Sequence, residues 1–334
     1  MRIALTLNGA LRTFEAAPGE TARDLLRRAG IFSVRNGCDG QGSCGSCAIL
    51  FNGKLVNSCL LLAPQLDGQQ VYTVDSLAKD RQLSAIQTAF IDAGVVQCGY
   101  CTPAMLLAAH ELLERVAQPS REQIKDAMSG ILCRCTGYEQ IFAAVELAWQ
   151  RRRDPQFKGQ IAPEFRDDLR LIGKVRRKVD GPRLARGERA FVEDMVEPGH
   201  CHLKMLGSPH AHAYIRSIDT TTAEAMPGVV FVLTYRNCPD APYNQAGQGF
   251  PEPSPYDRRM FGQKLRHVGD RVAAVVAETP ETAAAALAAI KVGYEVLRPV
   301  LTIDDAAAED APRVHNGVIE YVVGAPPDLD NRGA

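Results

Sequence analysis

Eight of the ten cysteines in this 334-residue chain fall into two sets of four, and their spacing is the first indication of chemistry. The earlier set is Cys38, Cys44, Cys47 and Cys59, spaced C-x5-C-x2-C-x11-C; the later is Cys98, Cys101, Cys133 and Cys135, spaced C-x2-C-x31-C-x-C. A [2Fe–2S] cluster takes four thiolates, and backbone N–H donors to its sulfurs stabilise it and raise its potential. Glycines at 37, 40, 42 and 45 let the first loop adopt positive φ and turn its amides inward. Three cysteines on such a loop and one on a neighbouring strand form a specific signal, whereas a zinc ribbon prefers two paired knuckles and fewer glycines. The later set in isolation also suits zinc. Its position after a four-cysteine site favours a second iron–sulfur centre, because two redox centres in series make an electron wire.

The elements that position these residues are legible around them. Residues 3–7 alternate as a strand, Asn8-Gly9 turns, and residues 11–14 return. A helix follows, with Thr21 as cap, Asp24 three residues on and Gly30 as stop. After the first cysteine loop come a strand, an Asn52-Gly53 turn, a strand ending near Cys59 and a last strand at about 70–74, a β-grasp pattern. The first gap is one residue longer than in the plant-type ferredoxin pattern, which the spacing otherwise follows. Around the second set, the sequence predicts helices over roughly 80–95, 103–117, 120–131 and 137–151. Thr102 is expected to cap the second of these with Pro103 at its first position, and Thr136 with Glu139 to form a capping box before the fourth. Packed antiparallel, the two cysteine turns meet.

Composition sets the limits. Lys plus Arg (38) nearly balances Asp plus Glu (39), so no basic footprint points to nucleic acid. No apolar run reaches the ~18 residues of a membrane span, and the strand-like N-terminus lacks a signal-peptide core. A cytoplasmic protein is expected, and in that compartment cysteines serve metal or redox chemistry rather than disulfides. Residues 150–170 are charged, lack an apolar period and read as a linker; Arg151–Arg153 read as a solvated helix end. A second domain is expected from near Leu171, with a strand at 272–277, a helix from Thr279-Pro280 to about Ile290, a strand at 292–296 and a long loop at 237–260. His200, His202, His210 and His212 have spacings that could face one side of a strand and hold a metal, although a scaffold role competes.

Three motifs in order, Gly37-Cys38 through Cys44-Gly45-Ser46-Cys47, Gln97-Cys98-Gly99-Tyr100-Cys101-Thr102-Pro103 and Cys133-Arg134-Cys135-Thr136-Gly137-Tyr138, resemble the iron–sulfur part of the molybdenum hydroxylases, the xanthine dehydrogenase and aldehyde oxidoreductase family. Ala104 departs from that pattern, which usually has glycine there. Further on, Ile172-Gly173-Lys174, Asp180-Gly181, Ser208 through Ala213, Pro227-Gly228-Val229 and Val268 through Val275 resemble the family's α/β hammerhead domain. The resemblance implies an α+β multidomain chain: a β-grasp ferredoxin-like domain (1–77), a four-helix [2Fe–2S]-binding domain (78–152), a linker (153–170), the hammerhead (171–308) and an irregular tail (309–334). It implies two [2Fe–2S] clusters, on Cys38, Cys44, Cys47, Cys59 and on Cys98, Cys101, Cys133, Cys135. Gln97 and Cys135 match the positions that approach the molybdopterin. Nothing after Val300 resembles the family's molybdopterin-binding stretches or its catalytic glutamate, so no catalytic residue is expected here. Molybdopterin would be contacted by this chain but bound mainly by a partner catalytic subunit or a missing region. Plant-type potentials of roughly −400 mV, tuned upward, suit onward transfer to an FAD-binding subunit or a ferredoxin. The competing reading is a non-catalytic adaptor with one [2Fe–2S] cluster and a structural zinc.

Overall fold

The computed structural model describes residues 1–154, 156, 157, 159, 168–174, 176–195, 199–243 and 258–315. The chain divides into two compact units, Met1–Val196 and Glu197–Ala334. No helix among the described residues is long and apolar enough to cross a membrane.

The first unit opens with the expected hairpin, β1 (Arg2–Leu7) and β2 (Ala10–Glu15), turned by Asn8 and Gly9 at positive φ. Helix α1 (Ala22–Arg28) follows, its Thr21 side chain accepting from Asp24 N. Then come β3 (Ala48–Phe51), β4 (Lys54–Asn57) and β5 (Gln70–Tyr72), giving a five-stranded sheet in the order β2-β1-β5-β3-β4. Only β1 and β5 run parallel. Strand β3 is apolar at every position because both of its faces are covered. Ile49 points into the β-grasp core with Leu25 and Leu26, while Ala48 and Leu50 join the core of the helices. Cys59 lies on a short 3₁₀ turn, Ser58–Leu60, past the end of β4 rather than on a strand.

Helices α2 (Ala85–Asp92), α3 (Thr102–Arg115), α4 (Arg121–Met128) and α5 (Glu139–Arg153) make the second half of this unit. Helix α2 starts five residues later than expected, because Ser84 and Gln87 form the capping box and Asp80 and Arg81 sit at positive φ. Two cap expectations are corrected. Thr102 is the first residue of α3, with Cys101 at the cap position. The Thr136–Glu139 box does not form: Tyr138, at φ 69°, occupies the cap position of α5 without a side-chain cap bond. A short helix, α6 (Gly181–Ala185), and the residues up to 195 also belong to the first unit, although the sequence reading gave everything from 171 to the second domain. The cause is long-range packing: Leu184 and Ala185 enter the helical core, and Gln87 Nε2 donates to Ala185 O at 3.0 Å.

The second unit contains β6 (His202–Gly207), β7 (Ala213–Asp219), α7 (Thr221–Glu224), β8 (Val229–Thr234), β9 (Lys264–Leu265), β10 (Arg271–Ala277), α8 (Pro280–Ala289), β11 (Lys291–Val296) and α9 (Ile303–Ala307). Among the described residues two three-stranded sheets form, β6-β10-β8 and β11-β7-β9. The expected strand–helix–strand run is present as β10-α8-β11, but its strands lie in different sheets, so α8 connects the two layers. Parts of the expected linker (155, 158 and 160–167), of the long loop (244–257) and of the tail (316–334) lie outside the described residues.

Candidate iron–sulfur centres

The first quartet is assembled by the loop between α1 and β3 and by the turn after β4. Its thiols meet in two pairs, Cys38 with Cys44 and Cys47 with Cys59. Cys47 and Cys59 are buried, and Cys38 and Cys44 partly so. Burial pushes the Cys38 thiol up, but the Cys44 thiol, the Ser43 hydroxyl and the amides of Cys44 and Ser43 outweigh it, and its pKa falls to about 6. Burial and the neighbouring Cys47 push Cys59 up to about 11, against the Gly42 amide. Gly40, Gly42 and Gly45 have the expected positive φ; Gly37 does not, and is restricted instead by space, with Ser46 Oγ 2.9 Å from where a Cβ would lie.

The second quartet comes from the turns before α3 and before α5. Its pairs are Cys98 with Cys135 and Cys101 with Cys133. The Cys98–Cys135 pair is exposed, as is Gln97; Cys101 is buried and Cys133 half-buried. Burial raises the pKa of Cys101 and of Cys98, and neighbouring thiols add to it. Cys133 is lowered despite burial by the Thr136 hydroxyl and the amides of Cys135 and Thr136. Tyr138 closes this loop, accepting from Cys133 N at 2.9 Å and donating to Ile131 O at 3.0 Å.

The donor set fits a two-iron cluster at both places. Four gathered thiols cannot all ionise without a compensating cation, amides point at the sulfurs, and two pairs per quartet match two irons with two thiolates each. Among the described residues no three His, Cys, Asp or Glu side chains converge as ligands of one ion would, and a two-iron cluster does not require that.

The two sites touch through backbone. Leu132 N, adjacent to Cys133, donates to Cys44 O at 2.9 Å. A Cβ on Gly45 would lie 2.1 Å from Gly130 O, so only glycine permits this approach. Tyr100, between Cys98 and Cys101, accepts from Asn36 N at 3.1 Å and donates to Glu193 Oε1 at 2.8 Å. The segment 188–194 is fastened by a buried ion pair, Arg35 Nη1 to Asp194 Oδ2 at 2.6 Å, with Arg27 on the other carboxylate oxygen at 3.0 Å. Burial works against the ionised Asp194, but the Ala190 and Phe191 amides and the two guanidiniums hold its pKa below the usual range. The sequence reading missed Ser46, Tyr100, Leu132, Thr136 as a sulfur contact, and Glu193. Only the cysteine motifs around them hinted at a role.

The histidines do not gather on a strand. His210 packs edge-on against Tyr294 and buried His212 contacts Arg298 O through Nδ1 at 2.8 Å, both ahead of β7, while the His200 and His202 rings lie 4.6 Å apart.

Comparison with known proteins finds iron–sulfur domains over the stretches that carry both quartets. Residues 5–78 match a 2Fe-2S iron-sulfur cluster binding domain, 73–146 a [2Fe-2S] binding domain, and 186–298 the a/b hammerhead domain of aldehyde oxidase and xanthine dehydrogenase. The chain is 52% identical over 331 residues to the probable hypoxanthine oxidase XdhD of Escherichia coli, covering 99% of this chain and 35% of that protein. It therefore spans about a third of the length of that relative. It is 47% identical over 150 residues to the nicotinate dehydrogenase small FeS subunit of Eubacterium barkeri, covering 45% of this chain and 95% of that subunit. The structure of the aldehyde oxidoreductase from Desulfovibrio gigas superposes with a TM-score of 0.83 at 29% identity, over 95% of this chain and 36% of that one. With two [2Fe–2S]-binding domains followed by a hammerhead, the chain belongs to the xanthine dehydrogenase and aldehyde oxidoreductase family of molybdenum hydroxylases, and is its iron–sulfur electron-transfer region.

Proposed function

We propose that Cys38, Cys44, Cys47 and Cys59 hold one [2Fe–2S] cluster and Cys98, Cys101, Cys133 and Cys135 a second. Bound there, the clusters supply one-electron steps between a molybdopterin centre, held by a catalytic partner or further region, and FAD or another acceptor. No catalytic residue is assigned to this chain. Its own groups hold the sulfurs, donate amides to them and keep water from the inner pairs. Gln97 and Cys135, exposed at the outer edge of the second site, are the residues we assign to the pterin side. From that edge the sites are ordered inward, through Cys133 and Leu132 N to Cys44 O. That hydrogen bond, from the neighbour of a ligand in one quartet to the carbonyl of a ligand in the other, is the observation that carries the relay reading. The identity to XdhD along nearly the whole chain favours a purine such as hypoxanthine as the substrate of the complete protein.

Iron and sulfide analysis of anaerobically prepared protein tests this. About four irons and four labile sulfides per chain are expected, with two distinguishable reduced EPR signals. Cys135→Ser should abolish one signal and leave the other. Two irons with one equivalent of zinc would establish the adaptor reading instead, and survival of both signals in Cys135→Ser would remove Cys135 from the ligand set.

A further inference from the structure

In each quartet the cysteine at the inter-site contact meets a hydroxyl with its sulfur, as Cys38 in the first also does with Ser43, and the surrounding bonds fix the direction of the hydrogen at Ser46 and Thr136. Ser46 Oγ accepts from Gly37 N at 3.1 Å and lies 3.2 Å from Cys44 Sγ. Thr136 Oγ1 accepts from Tyr138 N at 3.1 Å and lies 3.3 Å from Cys133 Sγ. Each oxygen is already an acceptor for an N–H, and a metal-bound thiolate has no hydrogen to give. The hydroxyl hydrogen therefore goes to sulfur. Ser46 and Thr136 are both buried, which limits competition from water. The two sulfurs share a further property: Cys44 and Cys133 are the cysteines at the two ends of the Leu132 N to Cys44 O contact. The same local device is thus found twice, on unrelated loops, at the two points where the sites touch.

We propose that Ser46 and Thr136 are positioning residues for electron transfer, each raising the reduction potential of its own cluster by donating a hydrogen bond to the cysteine sulfur at its end of the inter-site contact. This rests on the reading that the quartets hold [2Fe–2S] clusters. Reduction adds one electron to an iron pair and leaves all four thiolates in place. The added negative charge spreads onto the sulfurs, so a donor there stabilises the reduced state more than the oxidised one. Placing one donor at each end raises both clusters together and keeps their potentials close, so that electron exchange between them stays near balance in either direction.

The test is an EPR-monitored dithionite titration of the full chain with both clusters assembled. Ser46→Ala should lower the reduction equilibrium constant of the first cluster about tenfold, which is about 59 mV for one electron, and leave the second in place. Thr136→Val should lower that of the second cluster by a similar factor and leave the first in place. Ser46→Thr and Thr136→Ser, which keep the hydroxyl, should restore wild-type values. Potentials that stay unmoved in variants retaining both signals overturn the proposal and leave the cluster assignment standing. A wild-type chain without two [2Fe–2S] signals overturns the assignment first. If Ser46→Ala fails to hold its cluster, the Thr136→Val titration alone decides.

Discussion

Gly45 is the residue on which the two cysteine loops close. Its φ of +68° disfavours any side chain, and a Cβ would press into the Gly130 carbonyl. Left-handed backbone costs an alanine about 1–2 kcal/mol, and separating the loops would also break the Cys44–Leu132 hydrogen bond, about 1 kcal/mol more. Gly45→Ala should therefore lose about 2–3 kcal/mol in denaturant unfolding. Gly130→Ala, at ordinary φ with open space around its Cβ, should stay within about 0.5 kcal/mol of wild type. Equal stability of the two variants would refute the account. The glycine-rich loop was legible because a cluster loop needs positive φ, and that need leaves a compositional trace. The hydroxyls were not. Thr136 followed three residues later by Glu139 reads as a capping box, yet its oxygen accepts from Tyr138 N and lies 3.3 Å from Cys133 Sγ. A capping pattern cannot show that the sulfur of Cys133, three residues earlier in the same turn, competes for the same group.

At the scale of elements, the helices, hairpins and their order could be read from periodicity and turns, but the stretch 181–195 could not. Asp194 and Arg35 are 159 positions apart and both fully buried, so nothing in either neighbourhood announces the pair. The pair fastens this segment beside the loops that carry Cys38 and Tyr100, with Arg35 also over the Phe191 ring at 4.5 Å. Removing one partner leaves a buried charge uncompensated, a cost of about 3–5 kcal/mol. Asp194→Asn should show that loss in unfolding at neutral pH. The sign of its pH dependence follows from the lowered pKa. The carboxylate contributes fully above its unfolded value of about 4 and loses that contribution as pH falls toward its lower folded value. The gap between wild type and Asp194→Asn should thus be constant from about pH 8 to 5 and narrow below about pH 4. A gap that widens in acid would mean that the carboxylate is not held ionised.

For the whole molecule, the sheet β6-β10-β8 offers a surface on which the remainder of such an enzyme is expected to dock. One face packs under α8, with Val232 and Val275 in the core. On the other, register places Leu203 and Phe231 beside Val276, and Met205 and Leu233 beside Ala274. Leu203, Met205 and Phe231 are 54%, 42% and 49% exposed, so among the described residues this face is apolar and open. An exposed apolar face is where we expect an interface. The chain covers only 35% of XdhD, which leaves the other part of such an enzyme, the molybdenum-binding region or subunit, as the occupant we expect. The formal charge of −1 argues against electrostatic steering as the source of affinity. Phe231→Glu should therefore unfold like wild type, since the side chain is half in solvent already. Its association with the catalytic part should weaken by at least about 30-fold, the equivalent of a 2 kcal/mol hot spot. Calorimetric titration at low and at high salt would measure this. Wild-type affinity should change little with salt if the contact is apolar, and a steep salt dependence with no effect of Phe231→Glu would place the interface elsewhere on the molecule.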